Sequence, residues 1–89
     1  MPTTHLLIKG KVQGVFYRAA AKDIALRLGV TGWIKNTDNG DVEAEIFGSE
    51  QQLQNFINWC KQGPAKARVN EVISTFRKET IYNEFVIVR

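Results

Sequence analysis

The stretch "VTGWIKNTDNGDVEAEIF", residues 30–47, decides the fold. It reads as two strands, Val30–Thr37 and Asp41–Phe47, broken by "DNGD" at residues 38–41. Asn-Gly is the strongest short hairpin signal, because both residues tolerate positive φ. In the second run Val42, Ala44 and Ile46 point to one face of the sheet, and Glu43, Glu45 and Phe47 to the other. A hairpin in mid-chain therefore separates whatever lies on either side of it.

On its N-terminal side, His5–Val12 reads as a strand, with Leu6, Ile8 and Val12 on one face and Gly10 between them. A helix follows, because Ala21, Ile24, Ala25 and Leu28 recur at helical spacing. Asp23 and Arg27 stand four apart on its solvent side, and Gly29 is placed to end it. Beyond the hairpin, Ser49 with Gln52 three residues on forms a capping box that opens a second helix. Its apolar stripe is Leu53, Phe56, Ile57 and Cys60, and Gly63-Pro64 stops it. Strands are expected at Arg68–Arg77 and Phe85–Val88. The order is βαββαβ with a C-terminal strand. Each helix has one apolar face, so both should cover one side of a single sheet. A split βαβ arrangement puts the third strand between the first and second, with right-handed crossovers.

The chain has 89 residues, so the expectation is one domain, residues 1–89, with a single core. A hydrophobic content of 44% and two tryptophans fit a folded globule rather than a disordered segment. The net charge of +3 suits anionic ligands but equally an ordinary soluble protein. A lone cysteine, Cys60, excludes an internal disulfide and a cysteine metal cluster. The first residues lack the apolar run of a signal peptide, and no stretch is long enough to span a bilayer. A soluble cytoplasmic protein, without membrane association and monomeric, is the expectation.

In the split arrangement the first two strands run parallel without being neighbours, so their C-terminal ends open on the same rim. Two strand spacings separate them by roughly 10 Å. The first ends at "VQGVFYR", residues 12–18, and the second near Asn36. Gly14 gives the turn conformational freedom. The turn leads into the positive end of a helix, where free N–H groups favour an anion. Arg18 adds a permanent charge and a fork suited to phosphate. The same residues also fit a plain strand-to-helix turn with an exposed arginine. Asn36 is equally open: it can cap a hairpin, or its carboxamide can hold a water in line with a bound phosphate.

Taken together, "IKGKVQGVFYR" (residues 8–18) and "GWIKNTDNGDVEAEIFG" (residues 32–48) resemble the two signatures of the acylphosphatase family. The resemblance covers essentially the whole chain. It implies a ferredoxin-like α/β sandwich, an α+β fold with an antiparallel sheet and both helices on one face. It also implies hydrolysis of the carboxyl–phosphate bond of acyl phosphates, with no cofactor and no metal. By the same resemblance Arg18 binds the substrate phosphate. The backbone N–H groups of Gln13, Gly14, Val15, Phe16, Tyr17 and Arg18 wrap its oxygens, Asn36 orients the attacking water, and Thr37 supports Asn36. Tyr17 stands where the family usually has phenylalanine and Ile34 where a smaller residue is usual. Arg89 ends the chain where a tyrosine is common.

The chemistry needs few groups. A carboxylate leaves from an acyl phosphate without strong acid assistance, so charge stabilisation and positioning carry the reaction. Neutral Asn36 is a poor base, which leaves the substrate's own phosphate as acceptor for the water proton. His5 reads as an exposed residue at the start of its strand, away from the rim, and Cys60 as a small core residue, so a covalent phosphoenzyme is not expected. "DNGD" lacks the remaining ligand spacing of a calcium loop. Trp33 and Trp59 read as packing residues, and "KQGPAKAR" (residues 61–68) as solvated helix-end charge. Two rivals share features of this plan. An RNA-recognition module has the same βαββαβ order, but Glu43 and Glu45 would occupy its open face and repel phosphates. An anion-binding regulatory domain would keep the pocket without turnover.

Overall fold

A computed structural model describes residues 1–88; Arg89, and with it the departure at the chain end, lies outside the described residues. The elements are β1 (Thr3–Lys11), α1 (Tyr17–Leu28), β2 (Thr31–Asn36), β3 (Val42–Phe47), α2 (Glu50–Gln62), β4 (Arg68–Arg77) and β5 (Phe85–Ile87). They form one sheet in the order β4-β1-β3-β2-β5. β3 lies between β1 and β2 and is antiparallel to both, so β1 and β2 share a direction. β5 pairs with β2 in parallel, from Gly32↔Phe85 to Ile34↔Ile87. The sheet is therefore mixed. The antiparallel sheet expected from the sequence holds for four strands, and the short fifth joins β2 in the same direction. Among the described residues no helix is long and apolar enough to cross a membrane.

The alternation read from β3 is realised. Val42, Ala44 and Ile46 are fully buried beneath the helices together with Leu6, Ile8 and Ile34. From α1 come Tyr17, Ala21 and Ala25, and from α2 Leu53, Phe56 and Cys60. Tyr17 lies between the helices. Its hydroxyl donates to the Cys60 carbonyl at 2.8 Å, and its ring sits 5.4 Å from that of Trp59. Burial pushes the Cys60 thiol up to about 12, so it stays protonated and inert.

The open face differs from expectation in one respect. His5 is not an exposed strand-end residue. It lies inside β1, paired with Glu45 in register, and its Nε2 is 2.6 Å from Glu43 Oε2. β1 begins two residues earlier than the apolar alternation suggested, at Thr3, because Thr3 and Thr4 are themselves buried. Lys35 reaches Glu43 from the other side at 3.7 Å, and Tyr82 donates to Glu45 at 2.7 Å while accepting from Trp33 Nε1 at 3.2 Å. Both glutamates are thus engaged along this face.

The hairpin is real but not a two-residue turn. Thr37 N donates to the Asp41 carbonyl at 2.9 Å, leaving Asp38, Asn39 and Gly40 as the loop. Only Gly40, at φ 95, has positive φ, so Asn39 never uses the left-handed freedom attributed to it. A three-residue loop needs just one such residue, at its end.

Gly10 marks a close approach. The β1–β4 register shifts at Lys9/Gly10, Gly10 has φ 135, and a Cβ there would run into the Arg68 carbonyl oxygen. Gly10→Ala is expected to cost about 2 kcal/mol or more. Thermal unfolding should show this as a drop of about 10 °C in a domain of this size; a change below about 2 °C would mean that β4 shifts aside freely.

Candidate functional site

The two helix starts contrast sharply. α2 follows every local rule. Ser49 accepts from Gln52 N at 3.1 Å, Gln52 Oε1 accepts from Ser49 N at 2.8 Å, and Glu50 sits in the first turn against the positive end. α1 breaks three of them at once. Its N-cap is Phe16, which has φ 63 and ψ 24 and gives no side-chain hydrogen bond. A bulky residue in this left-handed region costs about 1–3 kcal/mol. The first turn holds no acidic residue. It holds instead Arg18, a cation at the positive end of a helix, unfavourable by about 0.3–1 kcal/mol. The first helical bond runs from Ala20 N to Phe16 O, so the N–H groups of Tyr17, Arg18 and Ala19 have no partner within the helix. An anion seated here would correct all but the Phe16 strain.

Such a seat exists. A cavity of about 360 Å³ is lined by Val12, Gly14, Phe16, Tyr17, Arg18 and Ala19, and across it by Asn36 at the end of β2 and Ile87 at the end of β5. The parallel course of β1, β2 and β5 brings these strand ends to one rim. Two other hollows lie elsewhere, between α2 and β4 beside Phe76, and at Trp33 and Tyr82 on β5's flank. Neither includes a residue singled out for chemistry.

Asn36 brings the sharpest polar feature. Its Oδ1 is shielded from solvent and has no hydrogen-bond partner. Leaving an acceptor buried and unpaired costs about 1–3 kcal/mol, and native structures keep few such groups without a reason.

The remaining expected residues divide by what their atoms do. Gly14 takes φ 74 in the turn. Val15 is buried and anchors the loop to the core. Gln13 directs its side chain away from the cavity: Nε2 donates to the carbonyls of Thr37 and Asp41, each at 2.8 Å. It thereby clamps the loop after β1 to the hairpin that follows Asn36. Thr37 also serves the hairpin. Its hydroxyl donates to Asn39 Oδ1 at 2.6 Å and accepts from Asp41 N at 3.0 Å, so both bonds go to the hairpin and neither to the Asn36 carboxamide. Tyr17 contributes its N–H at the helix start, while its buried hydroxyl is held well above the ordinary phenol range by loss of solvation and cannot serve as an acid. Sequence reasoning missed Val12, Ala19 and Ile87 as lining residues. Ile87 needed the parallel β2–β5 pairing, for which a three-residue strand carries no local signal.

A split βαβ sandwich with an arginine, a helix start and an orphaned carboxamide around one cavity defines a ferredoxin-like, anion-handling domain. The sequence model of the acylphosphatase family matches residues 4–87. An acylphosphatase from Anaeromyxobacter sp. (strain Fw109-5) is 50% identical over 68 residues, covering 76% of this chain and 73% of that protein. One from Syntrophus aciditrophicus (strain SB) is 44% identical over 85 residues, covering 96% and 86%. The crystal structure of acylphosphatase from Bacillus subtilis superposes with a TM-score of 0.96 over 100% of both chains at 31% identity. The chain belongs to the acylphosphatase family, a family of hydrolases.

Proposed function

We propose that this chain hydrolyses acyl phosphates to a carboxylate and inorganic phosphate, with Arg18 and Asn36 as the catalytic residues. The phosphoryl group sits against the Arg18 guanidinium and the N–H groups of the loop and helix start from Gln13 to Arg18, with Thr37 holding the hairpin behind Asn36. A water molecule donates a hydrogen bond to Asn36 Oδ1 and attacks phosphorus. The new O–P bond forms as the bond from phosphorus to the carboxylate oxygen breaks, and the carboxylate leaves with the electron pair. The water's proton passes to a phosphoryl oxygen, so no protein base is needed. Charge spread over the phosphoryl oxygens is met by Arg18 and the N–H groups. Positioning of the water can supply up to roughly 7–11 kcal/mol of the barrier.

The observation that carries this reading is that Arg18 and Asn36 line the same cavity, with Asn36 Oδ1 bonded to no other protein group. The reading takes residues 1–89 as one domain acting as a monomer, with the cavity lined from Val12 to Ile87 of the same chain. The lone buried cysteine agrees with a cytoplasmic setting. Steady-state assay on benzoyl phosphate tests the proposal. Turnover well above the buffer rate, inhibited competitively by inorganic phosphate, is expected. Phosphate binding without turnover would instead make this an anion-binding regulatory domain.

A further inference from the structure

The cavity lining mixes the polar side chains of Arg18 and Asn36 with the apolar ones of Val12, Phe16, Ala19 and Ile87, and the chemistry above uses none of those apolar side chains. Phe16 lines it, yet the residue is 78% exposed, the second most exposed large hydrophobic residue of the described chain after Phe76. Its backbone is held at φ 63, a conformation that phenylalanine rarely adopts. Folding gains little from an exposed ring, and the left-handed backbone would be less strained with glycine there. Ile87, 37% exposed, lines the same cavity from β5, and Ala19 from α1. We infer that Phe16 and Ile87 form an acyl-binding lip, selecting acyl phosphates with aromatic or bulky apolar acyl groups over small ones. This rests on the proposed reading of the cavity, since the acyl group is placed by its phosphate. A phosphate held at Arg18 and the helix start keeps its own acyl substituent within the same cavity, which Phe16 and Ile87 also line. Contact with an aromatic ring removes the exposed Phe16 face from water and adds ring–ring attraction.

Phenylphosphonate and methylphosphonate, which resist hydrolysis, separate the lip from turnover. In titration calorimetry the wild-type chain should bind phenylphosphonate about tenfold more tightly than methylphosphonate, the size of one good aromatic contact. Phe16→Ala, which keeps the same left-handed backbone demand, should cut that preference to threefold or less, and Ile87→Ala, outside the phosphate loop, should also weaken it while leaving methylphosphonate affinity within twofold. Phe16→Leu should retain a preference between the two. A wild-type preference below threefold, or one that survives Phe16→Ala, overturns the inference. The preference appearing in a protein that fails to turn over benzoyl phosphate would support the lip and sink only the catalytic reading. Neither phosphonate binding at all would sink both.

Discussion

Arg18→Gln lowers kcat/KM for benzoyl phosphate by about 10³-fold or more, and inorganic phosphate ceases to inhibit at concentrations that saturate the wild type. Removing one preorganised donor from a site of developing charge typically costs 10²–10³-fold. Arg18 supplies a full charge as well, with a bidentate fork that glutamine cannot reproduce. The accompanying stability change has the opposite sign. Arg18 lies in the first turn of α1, where no acidic side chain offsets the helix dipole. Neutral glutamine at that place relieves a repulsion of about 0.3–1 kcal/mol. Without ligand the variant should therefore unfold at the same temperature as wild type or a few degrees higher, and saturating phosphate should no longer raise that temperature. Kinetics and thermal unfolding with and without phosphate check both halves. A variant still inhibited by phosphate at the wild-type constant would remove Arg18 from the seat.

The same conflict between local stability and function explains what could be read before the coordinates. Wherever local rules and tertiary packing agreed, the sequence was transparent. The β3 alternation, the Ser49–Gln52 box, the α2 stripe and β4 all appear as read. The order of strands followed from one hairpin and the crossover rules. The rim position of Arg18 and Asn36 followed in turn from that order. What escaped was set by partners distant in sequence. Gln13 looked like part of the loop's backbone wrap, but its side-chain partners are carbonyls 24 and 28 residues away. His5 looked exposed because nothing next to it in the chain shows that Glu43, on the adjoining strand, meets it. The β5 direction was hidden because three residues carry no pairing code. At α1 the breaches of local rules are themselves informative: a cation, an uncapped start and a left-handed phenylalanine coincide where the fold has room for a ligand.

Asn36→Ala should separate binding from turnover. The expected result is a fall in kcat of about 10²–10³-fold, with the inhibition constant for inorganic phosphate changed by less than about threefold. In the proposed mechanism the seat for phosphate consists of Arg18 and N–H groups on β1's loop and α1, none of which the substitution touches. On the same proposal the water would sit by Asn36 at the end of β2 and would lose the acceptor that aims it; rate losses of this size accompany misplaced reacting groups. Stability gives an independent reading of the same atom. Asn36 Oδ1 bonds to no other protein group, so deleting it breaks no hydrogen bond within the fold and costs only a modest loss of packing. Unfolding of Asn36→Ala should therefore change little, unlike most substitutions of a partly buried residue. If phosphate affinity falls in step with kcat, the carboxamide belongs to the phosphate seat and the water must be aimed by something else.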